Sequence, residues 1–304
     1  MTLECSLAII RKSDKILYSL RSKNPFLNHF EFPGGKVENQ ESPEDALNRE
    51  CFEELGIRLL NVIKIGSLIH CYENINIRLH IYEVNKYEGK IFAKENQKLS
   101  FLNISTSNEK FIESTYRIIN YISMPRYIRI IPKNIMKISG DKISEKSIAN
   151  MVRFRSNNIS PNDYIRQACI YSRICDKNNI KLLLDAKHRQ HYHSLKYCGI
   201  HYTSKELKKL NSDSFIKSNK LLMYSASCHN IEEISLANKL NFDFITLSPV
   251  LSSKHSTTPI GWIRFNKLSL DANMPVFALG GISRSDINVC LLNNGYGISG
   301  ISNF

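Results

Sequence analysis

The chain has 304 residues, 42% of them hydrophobic, which is long enough for two domains with a core each and excludes disordered and fibrous classes. Its net charge of +13 and pI near 9.3 come from Lys and Arg dispersed without a long basic run. Small anionic substrates account for that charge, so a nucleic-acid polymer is not the expected partner. Eight scattered cysteines with no CxxC pair point to a reduced, cytoplasmic protein, and the sequence predicts neither a signal peptide nor a membrane span.

In chain order, Cys5 to Ile10 and Lys15 to Leu20 read as a hairpin around Lys12-Ser13-Asp14, with Arg21 and Lys23 at the strand end. The run His29-Phe30-Glu31-Phe32-Pro33-Gly34-Gly35-Lys36 leads to a strong helix start at Ser42-Pro43-Glu44-Asp45. Ser42 supplies a cap, Pro43 a pre-set first helical position, and the two acids face the positive end of the helix dipole. Gly56 supplies the stop. Leu47, Cys51 and Leu55 share one stripe of this helix, while Glu50, Glu53 and Glu54 share a neighbouring one.

Like charges at that spacing oppose one another on a helix, and a divalent cation reverses the sign of the effect. Oxygen-only ligands favour Mg²⁺ or Mn²⁺, with substrate phosphates completing the shell. An isolated ExxEE run also fits an ordinary solvated helix face. Beyond the helix, Val62 to His70 and Asn76 to Glu83 read as strands paired around Tyr72-Glu73-Asn74, and Glu109 to Ile122 as a helix.

The spacing Gly35, Glu41, Arg49, Glu50, Glu53, Glu54, Gly56, Ile57 resembles the Nudix box, with Cys51 at an aliphatic position. The run through Gly34, Gly35 and Lys36 resembles the EFPGGK segment of MutT-type members, and Lys94-Glu95-Asn96-Gln97 their KEGQ loop. The resemblance implies that Glu50, Glu53, Glu54, Glu95 and the Gly34 carbonyl hold metal, that Glu41 supports them, and that Arg49 orients a carboxylate. Glu50 is the expected base that activates water, with Glu53 and Glu95 as the alternatives. Catalytic roles thus fall on Arg49, Glu50 and Glu53, and substrate contacts on Arg21, Phe32, Gly35, Lys36 and Thr115. Thr115 stands where such enzymes use an asparagine to read oxidised guanine.

From Tyr127 onward short apolar strands alternate with polar helices: Tyr127 to Ile131, Met151 to Arg155, Ile180 to Leu184, Gly199 to Tyr202, Leu221 to Ala226, Phe242 to Leu247, Pro275 to Leu279 and Gly297 to Ile301. Eight strands so spaced predict a closed parallel barrel. Gly280, Gly281, Ser299 and Gly300 then form a candidate phosphate site at its C-terminal rim, although glycines there also serve simply to make tight turns. His188, His191 and His193 suggest metal but lack supporting acids or cysteines, so a polar loop or helix is expected.

The segments VRFRSNN, KLLLDAK, GIHYTSKE, SASCH, DFITLSPV, PVFALGGI and GISGIS, with TPIGW, resemble in order those of thiamine phosphate synthase and its TenI relatives. That pattern implies a basic residue where Ser156-Asn157 stands and an Asn-Asp pair where Asp185-Ala186 stands. The metal-binding aspartate is thereby replaced by Ala186, with Glu206 left for the later acid, and Ser252-Ser253-Lys254-His255 replaces a pyrophosphate-gripping threonine loop.

The expected fold is therefore α/β, a Nudix α/β/α domain over 1–124 followed by a compact TIM-type (β/α)8 barrel over 125–304. The expected function is Mg²⁺-dependent pyrophosphohydrolysis of a nucleoside triphosphate, 8-oxo-dGTP above all, with a degenerate synthase-like barrel. The alternatives are a thiamine-metabolism enzyme whose Nudix half cleaves a thiamine or pyrimidine pyrophosphate, and a barrel that only binds a phosphorylated thiamine-precursor ligand. No membrane partner is expected.

Overall fold

A computed structural model describes residues 2–132, 150–156, 159–210, 215–252 and 258–301, and the chain divides into two compact units, Met1–Ile122 and Ser123–Phe304. The first unit runs β1 (Thr2–Ile9), β2 (Arg11–Lys12), β3 (Lys15–Leu20), β4 (Phe30–Glu31), β5 (Gly34–Lys36), α1 (Pro43–Leu55), β6 (Arg58–Cys71), β7 (Asn76–Glu88), β8 (Leu99–Leu102) and α2 (Glu113–Ile122). One sheet has the order β5-β1-β7-β6, and a second has β2-β3-β4 with β8 paired to β3.

Side chains alternate across β1, and this places the site. Ser6 and Ala8 face α1, where the Ser6 hydroxyl donates to the Pro43 carbonyl at 2.5 Å and Ala8 joins Leu47, Cys51, Leu55, Tyr82 and Val84 in a core. Leu3, Cys5 and Leu7 face the other way and line a cavity with Ile112, Thr115 and Ile118. The expected hairpin is thus only half right. β1 pairs with β7 and β5, and the chain changes sheets at Ile10 so that only Arg11–Lys12 pairs with β3. Apolar alternation reads the same in either sheet, so nothing local marks the change. The expected helix from Glu109 begins at Glu113 instead, because Lys110 and Ile112 hydrogen-bond to the backbone of Phe30 and hold this stretch extended.

The helix α1 forms as its caps dictate. The Ser42 hydroxyl accepts from the Asp45 amide at 3.1 Å, Pro43 opens the helix, and Gly56 closes it at φ 68°. Ala46, Leu47, Cys51 and Leu55 are its buried residues. Fully burying each leucine stabilises the packing by about 1.5–3 kcal/mol.

The second unit is a closed, all-parallel barrel of β9 (Tyr127–Ile131), β10 (Met151–Phe154), β11 (Lys181–Asp185), β12 (Gly199–Tyr202), β13 (Met223–Cys228), β14 (Phe244–Leu247), β15 (Val276–Leu279) and β16 (Gly297–Gly300). β16 pairs back to β9, with Ser299 opposite Ile128 and Gly300 opposite Arg129. Among its described helices are α3 (Pro161–Lys177), α4 (Ser204–Leu207), α5 (Ile231–Lys239), α6 (Gly261–Leu270) and α7 (Ile287–Leu292). Ile128, Met151, Leu183, Met223, Phe244 and Phe277 pack together as an apolar layer inside the barrel. Two residues further along β10, β11 and β13 stand Arg153, Asp185 and Ser225, so the next layer of the same face is polar.

Candidate functional site

The chemistry of the first unit gathers around Arg49 on the exposed side of α1. Its guanidinium grips Glu41 through two bonds, Nε to Oε1 and Nη2 to Oε2, both 3.0 Å. Nη1 reaches Glu50 at 2.9 Å and Glu53 at 3.2 Å, and Nη2 also donates to the Lys36 carbonyl at 2.9 Å. One planar fork therefore ties the loop before α1, the end of β5 and two acids of the helix into one arrangement. The Arg49 bond and the Glu38 amide hold the Glu41 carboxyl below its usual range.

The other acids are short of positive charge. Burial raises the pKa of Glu50 even against its Arg49 bond, with the Glu53 and Glu95 charges adding to the shift. Burial pushes Glu54 up to about 8, against a 3.2 Å bond from the Gly34 amide and helped by Glu50, Glu31 and Glu95. Glu95 is exposed, and its loop is pinned beside α1: the Lys94 amide and the Gln97 side chain both donate to the Glu54 carbonyl, at 3.1 and 2.9 Å. A Cβ on Gly35 would lie 2.4 Å from the Glu50 carboxylate, so glycine alone allows β5 this close to the acids. Gly34, at φ 128°, could carry a Cβ only by striking the Ser6 carbonyl oxygen at 2.1 Å.

This donor set consists of hard oxygens with surplus negative charge, which fits a divalent ion. Among the described residues no three His, Cys, Asp or Glu side chains already converge as a metal cage. Arg49 draws Glu41, Glu50 and Glu53 to itself, and an ion there would offset the burial that opposes ionisation of Glu50 and Glu54.

Beside the acids opens a cavity of about 810 Å³ lined by Arg21, Phe32, Gly34, Gly35, Lys36 and Thr115, all expected from the sequence. Its wall also includes Phe26, Glu31, Tyr72 and Ser114, which sequence reasoning missed. Arg21 Nη1 bonds both Glu31 oxygens, at 2.8 and 2.7 Å, yet burial still raises the Glu31 carboxyl. The Tyr72 hydroxyl donates to Ser114 at 3.0 Å, and its ring lies 5.4 Å from Phe26. The Thr115 hydroxyl is buried with no hydrogen-bond partner among the described residues. The only local hint of the missed residues was their place beside strand ends and turns.

In the barrel, Gly280 and Gly281 follow β15 at φ 94° and 67°, where a Cβ would strike Pro249 and the Ser252 carbonyl. The Ser299 hydroxyl donates to the Ile128 carbonyl at 3.1 Å and is spent on the barrel wall, and Gly300 ends β16. Among the described residues the three histidines form no metal-holding cluster. His188 is buried and stacks on Tyr164 at 4.2 Å, with burial lowering its pKa, while His191 meets Gln190. Asn157 and the Ser253 to His255 segment lie outside the described residues.

A family model described as "Thiamine monophosphate synthase" matches residues 134–304, and one described as "NUDIX domain" matches residues 4–109. The chain is 46% identical over 80 residues to a protein of Aquifex aeolicus (strain VF5) provisionally named thiamine-phosphate synthase 2, covering 26% of this chain and 43% of that protein. It is 34% identical over 97 residues to an 8-oxo-dGTP diphosphatase of Escherichia coli (strain K12), covering 31% of this chain and 75% of that protein. With an 8-oxo-dGTP diphosphatase of Buchnera aphidicola subsp. Schizaphis graminum it shares 28% identity over 119 residues, 36% of this chain and 90% of that protein. The chain thus spans less than half the length of the Aquifex relative. No helix among the described residues is long and apolar enough to cross a membrane.

Proposed function

The chain belongs to the Nudix family through its first unit and to the thiamine monophosphate synthase family through its second, and on that premise we propose a Mg²⁺-dependent nucleoside triphosphate pyrophosphohydrolase acting on 8-oxo-dGTP. The observation that carries the proposal is the Glu41–Arg49–Glu50–Glu53 array under the Gly34–Gly35 strand, at the mouth of the 810 Å³ cavity.

Nudix hydrolases generally use a divalent metal. Here Mg²⁺, or Mn²⁺, held by Glu50, Glu53, Glu54, Glu95 and the Gly34 carbonyl, would neutralise phosphate oxygens and acidify water. Arg49 keeps Glu50 oriented, and Glu50, raised by burial, takes the proton of the attacking water. Arg21 and Lys36 meet the polyphosphate from the cavity wall, while Phe32 and Tyr72 bound the space for the base. The water oxygen forms the new bond to phosphorus, the anhydride breaks, and the products are the nucleoside monophosphate and pyrophosphate. Thr115 offers the base one unpartnered hydroxyl where an asparagine would offer a donor and an acceptor.

We assign the hydrolase domain to 1–124 and the synthase-like barrel to 125–304, in a cytoplasmic setting supported by eight free thiols. In that role the first unit removes oxidised precursors before DNA replication, sparing later DNA repair. A second reading, favoured by the family of the fused unit, has the first unit cleave a thiamine or pyrimidine pyrophosphate. Pyrophosphate release with Mg²⁺ across 8-oxo-dGTP, dGTP, other nucleotides and thiamine diphosphate, with Glu53→Gln as control, separates them. Preference for 8-oxo-dGTP, lost in the variant, supports the first reading; preference for the thiamine-type compound replaces it with the second.

A further inference from the structure

The family of the second unit implies a metal held by acids at the rim of the barrel, and the residues present do not fit that ion. Position 186 is alanine, 1% exposed and packed in the apolar core. The adjoining carboxylate is already committed. Asp185 Oδ1 accepts from Arg153 Nε at 3.1 Å and Nη2 at 2.9 Å, and its Oδ2 accepts the Ser156 amide at 3.4 Å. Glu206 is no substitute, because its carboxylate closes a capping box on the Thr203 amide and hydroxyl, both at 2.7 Å.

What the barrel interior holds instead is fixed positive charge. Arg153 is 3% exposed, and Arg155 stands two residues further along the same face, half-buried, where burial and then the nearby Arg153 guanidinium disfavour its charge. Together they carry the charge of one divalent ion, and Asp185 offsets half of it. His201, fully buried beside them, adds none: its ring nitrogens meet the hydroxyls of Ser225 at 2.9 Å and Ser227 at 2.8 Å. Below this layer the interior is filled by Met151, Leu183, Met223, Phe244 and Phe277, so the surplus charge faces the end of the barrel where Gly280 and Gly281 turn.

We propose that the second unit binds a phosphate-bearing ligand without a metal ion, with Arg153 and Arg155 standing in for the divalent charge, and that it does not carry out metal-assisted displacement of pyrophosphate. Arg153 is held in place by Asp185, and Arg155 is the residue left to meet the anion. The proposal rests on the family reading of the second unit and is independent of the hydrolase reading of the first.

The test is calorimetry on the full chain carrying Glu53→Gln, titrated with inorganic phosphate and with pyrophosphate, in metal-free buffer and in Mg²⁺. Arg155→Gln is expected to weaken binding in metal-free buffer at least about tenfold, as loss of a charged hydrogen-bond donor does, while Arg155→Lys retains most of it. The component removed by Arg155→Gln should be the same with and without Mg²⁺. Binding that appears only with Mg²⁺, binding untouched by Arg155→Gln, or no binding of either anion would each overturn the proposal. Failure of the wild-type chain to hydrolyse any nucleotide, with this metal-free binding intact, would sink the hydrolase reading alone.

Discussion

Around α1, Glu41, Glu50 and Glu53 share a single guanidinium with Glu54 and Glu95 close to Glu50, whereas in the barrel interior two guanidiniums stand about a single carboxylate. The first arrangement leaves Glu50 and Glu54 wanting positive charge, and the second leaves Arg155 wanting negative charge. Both sites belong to families that bring phosphate and metal together, yet only the first has kept acids to spare. The sign of the uncompensated charge, more than the residue types present, tells what each site accepts.

The comparison breaks first at Glu50. Glu50→Gln is expected to lower kcat for pyrophosphate release by about 10²–10⁴-fold, the range for loss of a general base, with no fall in melting temperature. A smaller loss would move the role to Glu53 or Glu95. The opposite site responds through stability. Asp185→Asn leaves the buried Arg153 guanidinium uncompensated, with the half-buried Arg155 beside it, and should cost about 3–5 kcal/mol in the urea-induced unfolding of the second unit. Adding Arg153→Met to that variant should recover part of the loss, and no recovery would mean that the pair does not act as a unit.

Gly35→Ala tests how closely β5 approaches the acids. The new methyl group displaces the Glu50 carboxylate, and activity should fall about 10–100-fold, as it does when a partner orienting a metal ligand is disturbed, with little change in denaturation midpoint. The smallest effect is the pH response of the barrel. His201 has its pKa held well below 6.5 by burial and by both guanidiniums, so the unfolded chain takes up a proton that the folded chain refuses. Stability of the second unit should be fully present above pH 6.5 and fall as pH drops below it, by at most about 1.4 kcal/mol per pH unit for this one group. His201→Gln should flatten that slope in urea titrations at pH 5 and 7; an unchanged slope would place its origin elsewhere.

Much of this was legible in the chain itself. The acid stripe of α1 follows from the positions of Glu50, Glu53 and Glu54 on a helix whose ends are written at Ser42, Pro43 and Gly56. Spacing along one helix is a local property and survives any tertiary arrangement. The eight barrel strands were legible for a similar reason, since each is a short apolar run set off by polar segments, and the structure moves their ends by only a few residues.

Distant partners were not legible. Arg49 meets Glu41 and the Lys36 carbonyl only because β5 runs antiparallel to β1 and returns the chain beside α1. Tyr72 and Ser114 meet across the cavity from positions 42 residues apart. The Arg153–Asp185 pair forms because β10 and β11 lie side by side in parallel register, which no pattern within either strand states. The sequence by itself determined which residues carry charge and which face of a local element they occupy, because side-chain period follows from backbone geometry alone. Only the tertiary structure decided how those charges balance, because each pairing depends on a register between distant segments and on how much water their packing excludes.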